Sequence, residues 1–312
     1  MRALHVAIVG AGSLGSVYGV RLALGGSTVT FVVRPGRQAD TRPLRIERVG
    51  SADGLELASP GRSASIPSDA DVVILAVRAE SVDERLQSLL LAAPEAPLLT
   101  LTPFMPATLE RMRELLGSRV VVGMPGVVAY AAHGGVVRYW LFRVAPTRID
   151  DRGRSMPAVR TLCERLLEAG VPTRFEPHVD TTNSATTITF LPLVLALDVA
   201  GGTARAAVAD RALLALALDA VGECREVASA VGAAPAWVAV LARLVGPRGI
   251  RLGHGFARRA FPESVTFFEQ HFGSKTHAQN VLLGREVVAL GRARGFSMSA
   301  LSCLAERCAG TS

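Results

Sequence analysis

The sequence predicts an α/β chain in two parts, a mostly parallel sheet covered by helices over residues 1–177 and an all-helical domain over residues 178–312. Three observations carry that prediction. Residues 4–34 run as apolar strand, glycine-rich turn, helix and second strand; strand-like and helix-like runs keep alternating to about residue 177; and residues 181–312 turn to Ala- and Leu-rich segments of helical period.

The first strand, residues 4–9, contains Val6, Ala7, Ile8 and Val9, the continuous apolar run of a strand buried on both faces. Gly10, Gly12 and Gly15 follow in G-x-G-x-x-G spacing. The first glycine permits a tight turn, the second lets backbone approach a pyrophosphate, and the third lets the helix pack on the strand. Phosphate then sits at a helix N-terminus, where free N–H groups and the helix dipole favour negative charge. The helix, 13–25, is amphipathic through Leu14, Val17, Tyr18, Leu22 and Leu24, and the second strand is 27–33. This is the context a dinucleotide-binding Rossmann domain requires, and contacts to the cofactor are expected from Gly10, Gly12, Ser13, Leu14 and Gly15. Where the second strand ends, a site for NAD places Asp or Glu on the ribose 2′-hydroxyl, whereas a 2′-phosphate calls for Arg. The chain offers Arg34 and then Arg37, with no acid from Gly10 to Arg37, so the expected cofactor is NADP.

Further strands are expected at 72–77, 97–102 and 119–122, with helices at 81–92 and 106–116. Segments 44–48 and 55–58, parted by a turn-like Gly50-Ser51-Ala52-Asp53-Gly54, read as a hairpin. Residues 126–148 hold β-prone runs around Gly134-Gly135, and a helix over 156–169 precedes a last strand at 171–176. The second half reads as helices at 183–200, 211–231, 235–244, 264–272, 277–294 and 299–309. Between them, Gly246 to Gly255 reads as a flexible basic loop, either a connector or a lid carrying Arg248, Arg251 or His254.

Composition removes several function classes. The net charge of +7 is spread over the chain without an aromatic-studded basic stripe, so no nucleic-acid partner is expected. The longest apolar stretch, Ile188 to Ala200, is interrupted by Pro192 and Asp198 and is too short to span a bilayer, so it reads as a core helix and no membrane partner is expected. Cys163, Cys224, Cys303 and Cys308 form no C-x-x-C pair, and the first strand begins at residue 4, so reduced cysteines and a cytoplasmic location are expected. No metal site is expected, because His5, His133, His178, His254, His271 and His277 share no ligand spacing along one helix.

The fingerprint GAGSLGSVYG, the Arg after strand two and the helical second half together resemble the ketopantoate reductase family. DVVILAVRAESV (71–82) resembles the family's strand ending in a basic residue, which puts Arg78 where a lysine commonly meets the 2′-phosphate. GGVVRYW (134–140) and EVVALGRARGFSMSA (286–300) resemble two further family segments, so the likeness spans the chain.

The likeness fails at the positions that it assigns to chemistry. The family's Q-N-G loop corresponds to Thr102, Pro103 and Phe104, and its lysine with two following asparagines corresponds to Asn183, Thr187 and Leu191. Its substrate-binding Ser and Glu correspond approximately to Phe267 and Gln279, and Lys275 is the only lysine in the chain. Reducing a ketone leaves an alkoxide that a positioned donor must stabilise, and losing one such donor typically costs about 10²- to 10³-fold in rate. The replaced set therefore implies a different small-molecule substrate, bulkier and more apolar, with the nucleotide retained.

Candidate catalytic residues are Asn183, His277 and Gln279, with His271, Asp180 and Tyr130 as weaker ones. Asn183 either orients a carbonyl or satisfies local backbone. A histidine such as His277 either delivers a proton or is structural. The expected function is an NADPH-dependent reductase of a carbonyl or imine compound in specialised metabolism; the alternative is a non-redox cyclase or isomerase on the same fold. The helical domain is expected to hold the substrate and to pair with a second copy of the chain.

Overall fold

The computed structural model describes residues 3–51, 54–93, 95–141, 145–232, 247–260, 262–272 and 276–311. Two units make up the chain, Met1–Asp180 and Thr181–Ser312. The strands are β1 (His5–Val9), β2 (Thr28–Val32), β3 (Leu44–Arg48), β4 (Gly54–Leu57), β5 (Gly61–Ser63), β6 (Val72–Leu75), β7 (Leu98–Thr100), β8 (Val120–Met124), β9 (Val127–Ala131), β10 (Val136–Leu141), β11 (Thr147–Asp150) and β12 (Thr173–Glu176), all in the first unit. With them stand α1 (Ser13–Leu24), α2 (Glu84–Leu91), α3 (Pro106–Leu116) and α4 (Pro157–Glu168).

Eight strands form one sheet in the order β12-β11-β8-β7-β6-β1-β2-β5. From β5 to β8 every pairing is parallel, and β11 then lies antiparallel to β8. Apart from β11 and β12, this is the 3-2-1-4-5-6 order of a doubly wound nucleotide-binding sheet. β1 and β6 are buried along their whole length, as continuous apolar runs covered on both faces must be. Local signals fix the helix starts: the Asp83 carboxylate accepts the Leu86 N–H at 2.8 Å to begin α2, and Pro106 opens α3 where no intrahelical donor is needed.

The hairpin β3–β4 does not stand alone. It joins the run around Gly134-Gly135 in a second sheet, β4-β3-β10-β9, with β10 parallel to β3. α1 packs on this sheet on one side and on β1 and β2 on the other, which buries Val17, Tyr18, Val20 and Leu22 completely. Polar ties accompany that burial. Tyr18 Oη lies 2.5 Å from Thr147 Oγ1, which also accepts the Gly126 N–H at 3.1 Å. Arg21 donates to Tyr139 Oη at 2.6 Å and to the Ala169 carbonyl at 2.7 Å.

The second unit takes up the chain within α5 (Val179–Val199) and continues as α6 (Ala204–Ala209), α7 (Arg211–Val231), α8 (Pro247–Ala260), α9 (Pro262–Phe272), α10 (His277–Ala293) and α11 (Ser299–Ala309). α11 packs on α7 and α10, and Glu223 of α7 caps its first turn by accepting the Ala300 and Leu301 N–H groups at 2.9 Å each. The expected helix at 235–244 lies outside the described residues.

Two expectations change. The segment read as a loop is helix α8 from Pro247 onward. Proline at the first helical position loses no hydrogen bond. At both Gly253 and Gly255 an added Cβ would meet nothing within 4 Å. Each glycine costs a helix only about 1 kcal/mol against alanine, which packing against α6, α7 and α9 can offset. The helix expected from residue 183 starts at Val179, so Asn183 lies in its second turn. At 21 residues α5 is long and apolar enough by composition to cross a bilayer, yet Ala185, Ile188 and Leu195 are fully buried in the protein, as in a core helix.

Candidate active site

The glycine turn has the shape its sequence predicts. Gly10 has φ +108°, and a Cβ there would lie 2.8 Å from the Ala76 carbonyl oxygen and 3.0 Å from Val77 Cγ1. Only glycine fits. At Gly15 a Cβ would run into the Gly10 carbonyl oxygen, so this glycine is what lets α1 close on the turn. Gly12 differs from both, since no atom lies within 4 Å of its Cβ position. It is the N-cap of α1, with no side-chain hydrogen bond on the cap and no acid in the first turn. The half-buried Ser13 and Leu14 follow it. An uncapped helix N-terminus beside open space fits the pyrophosphate of a dinucleotide.

The sheet brings the arginines to the same edge. Val9 is in register with Val32 of β2 and with Leu75 of β6, so Gly10, Arg34 and Arg78 follow the C-terminal ends of three adjacent parallel strands. Arg34 is exposed, and among the described residues its side chain makes no ion pair or hydrogen bond. Arg78 is exposed as well, with Nη1 3.8 Å from Glu80 Oε1, while Glu80 Oε2 is buried without a hydrogen-bond partner. Two exposed arginines therefore follow the strands that flank β1, and among the described residues Arg34 is freer than Arg78.

Beyond β7 the polar side chains are already engaged. Thr102 is buried and donates its hydroxyl to the Val77 carbonyl at 2.9 Å, and Phe104 is buried two residues on.

In the second unit, Asn183, Thr187 and Leu191 are spaced to line one face of α5. Asn183 and Leu191 are buried, and Thr187 is half-buried. Thr186 and Thr189 return their hydroxyls to the carbonyls one turn back, at 2.7 and 2.8 Å. By contrast, the Asn183 side chain makes no hydrogen bond among the described residues. Gln279, in the first turn of α10, is half-buried and likewise makes none.

His277 has a partner that sequence reasoning missed. Its Nδ1 lies 3.1 Å from Oδ2 of the buried Asp198 on α5. The same oxygen accepts from Asn280 Nδ2 at 2.9 Å and from Cys308 Sγ at 3.3 Å. Burial, followed by the charge of Asp198, pushes the Cys308 thiol up to about 12. The sequence held one signal, an acid inside an apolar run, because a buried carboxylate must find donors.

The weaker candidates are occupied or lie elsewhere. Asp180 pairs with Arg113 at 2.8 Å, and Tyr130 sits in the second sheet with its ring 6.5 Å from that of Trp140. The side chains of Arg248, Arg251, Phe267 and His271, and all of Lys275, lie outside the described residues.

Residues 6–139 match the family model described as "Ketopantoate reductase PanE/ApbA". Among solved structures, 2-dehydropantoate 2-reductase from Geobacter metallireducens GS-15 is 19% identical, with a TM-score of 0.71 over 99% of this chain and 100% of that one. A PanE/ApbA family ketopantoate reductase from Ralstonia eutropha JMP134 is 21% identical, with a TM-score of 0.73 over 98% of this chain and 97% of that one. D-mandelate dehydrogenase, solved with NADH and anilino(oxo)acetate, is 17% identical, with a TM-score of 0.69 over 98% and 97%. These likenesses extend the shared fold through the helical half. The search of curated proteins finds no match.

Proposed function

We propose that this chain, whose residues 6–139 match the ketopantoate reductase PanE/ApbA family model, is an NADPH-dependent reductase of a carbonyl or imine compound bulkier and more apolar than ketopantoate. Specialised metabolism in the cytoplasm is the proposed setting. The observation that carries the reading is the alignment of an open glycine turn, Arg34 and Arg78 on one edge of a parallel sheet. Four free cysteines agree with a reducing compartment.

Bound NADPH would supply a hydride. The protein's part is to hold, orient and stabilise. The first-turn N–H groups of α1 would hold the pyrophosphate, and Arg34 with Arg78 the 2′-phosphate. In the helical unit the Asn183 amide is the proposed contact to the reacting group, donating its N–H to a carbonyl oxygen or accepting the N–H of a protonated imine at its own oxygen, because it is buried and its side chain makes no hydrogen bond among the described residues. Gln279 is the proposed second polar contact. His277 is left out of this set, since its Nδ1 faces Asp198.

An amide can stabilise developing negative charge by a hydrogen bond, but it has no proton to give. A protonated imine becomes a neutral amine on taking hydride, whereas a carbonyl becomes an alkoxide that must also find a proton. The residues at hand therefore suit the imine better. Leu191 and Phe104, at positions where the family carries asparagine or glycine, support the more apolar substrate.

Titration calorimetry with NADPH and with NADH tests the nucleotide half, and both are needed because one neighbouring fold was solved with NADH. Much tighter NADPH binding is expected, and equal affinities would remove the role given to Arg34. For the reaction, imines and ketones of graded size are assayed by loss of reduced-nicotinamide absorbance. Substrate conversion without that loss would overturn the reductase and favour a cyclase or isomerase. Asn183→Ala should lower kcat/KM by about 10²- to 10³-fold with NADPH affinity unchanged. A second copy of the chain is the proposed partner, which light scattering of the intact protein checks.

A further inference from the structure

We propose that Asp198, His277 and Cys308 form a binding site for a divalent transition-metal ion of the zinc class, joining α5, α10 and α11 within the helical unit. The three ligand atoms come from separate helices and lie within 4.8 Å of one another. Their separations are 3.1 Å from His277 Nδ1 to Asp198 Oδ2, 3.3 Å from Cys308 Sγ to that oxygen, and 3.9 Å from Cys308 Sγ to His277 Nδ1.

A tetrahedral zinc ion sets those same three lengths. Bonds of about 2.3 Å to sulfur, 2.05 Å to nitrogen and 2.0 Å to oxygen, opened at the tetrahedral angle, put the ligand atoms about 3.3 Å (N to O), 3.5 Å (S to O) and 3.6 Å (S to N) apart. Each observed edge agrees within about 0.3 Å, a mismatch that side-chain rotation can absorb without moving backbone.

A second observation comes from the carboxylate. His277, Asn280 and Cys308 all converge on Oδ2, and among the described residues no hydrogen bond reaches Oδ1. An ionised carboxylate offers about four lone-pair sites over two oxygens, so three donors crowd the two on Oδ2. One cation satisfies the same oxygen in place of two of those donors. On binding, Cys308 loses its thiol proton to solvent and His277 coordinates as neutral imidazole with its proton on Nε2. Carboxylate, thiolate and a divalent ion then sum to zero charge, which suits a site where Asp198 and Cys308 are buried.

The donor set selects the metal. A thiolate with an imidazole favours zinc and its neighbours over magnesium or calcium, which take oxygen ligands. Asn280 is buried and stays in place to orient the carboxylate from outside. The His277 side chain is 30% exposed, which leaves a route for the ion and a fourth position for water.

The test is a Co2+ titration of the metal-free, full-length chain under reducing conditions. One equivalent should bind, with visible bands of tetrahedral cobalt and a near-ultraviolet sulfur-to-cobalt band, and one equivalent of Zn2+ should displace it. Cys308→Ser should abolish the sulfur band, Cys303→Ser should retain it, and Asn280→Ala should weaken binding roughly 10- to 100-fold. Failure of the wild-type chain to bind one equivalent, a spectrum lacking the sulfur band, or a band that survives in folded Cys308→Ser would each overturn the proposal. The site does not depend on the nucleotide, so NADPH affinity measured beside the titration keeps the two readings separate.

Discussion

Replacing Gly12 by alanine separates nucleotide binding from folding. Gly12 has φ −78° and its Cβ position is open to 4 Å, so the folded chain accepts a methyl group there. Alanine is a poorer N-cap than glycine by about 0.5–1 kcal/mol, and a stiffer unfolded chain returns about 0.4–1 kcal/mol. The terms nearly cancel, and Tm should move by no more than about 2 °C. The pyrophosphate, by contrast, would need the space that the methyl takes. Losing one charge-assisted hydrogen bond to the first turn of α1 costs about 1.5–3 kcal/mol, which weakens NADPH about 10- to 100-fold. Calorimetry beside thermal unfolding reads both effects. Gly10→Ala is the contrast, because φ +108° and an approach of 2.8 Å to the Ala76 oxygen should lower Tm as well as affinity. A folded Gly12→Ala that binds NADPH like wild type would refute the pyrophosphate seat, and a collapse of its Tm would refute the open space.

Arg34→Ala should weaken NADPH by about 10- to 100-fold and leave NADH unchanged in the same calorimeter, since among the described residues the side chain has no partner to lose. Tyr18→Phe removes a buried hydrogen bond to Thr147 and should cost about 1–2 kcal/mol in denaturant unfolding. Burial holds the Tyr18 phenol well above its ordinary value, so its contribution is complete below about pH 10 and declines as the unfolded chain ionises above that. Unfolding curves taken at rising alkaline pH should therefore fall less steeply for the variant than for wild type. Of the four cysteines only Cys303 is exposed, so a thiol reagent should modify one site rapidly in the native chain and none in Cys303→Ser. Fast reaction of a second thiol would contradict the burial of Cys163, Cys224 and Cys308.

The nucleotide half was readable because its information is local. Gly10, Gly12 and Gly15 constrain a strand, a turn and a helix that are contiguous in the chain, and Arg34 ends the next strand. Glycine content misled the reading of α8, where Gly253 and Gly255, which signal a loop, are accommodated within a helix. The second sheet was beyond reach in a different way. Hydrophobic alternation marks β3 and β10 as strands, but nothing along the chain says that Ile46 pairs with Val137. The cluster on Asp198 escaped for the same reason, since its donors lie 79, 82 and 110 residues away.

Residue order alone set the class of fold, the glycine turn after β1 and the loss of the lysine that the resemblance called for, because each depends on neighbours within a few turns of chain. Tertiary structure decided which side chains meet: that Arg34 makes no ion pair among the described residues, that α1 is covered on both sides, and that His277 meets Asp198 and Cys308. Packing brings such groups together through a core whose contacts join segments far apart in sequence, and no local period records them.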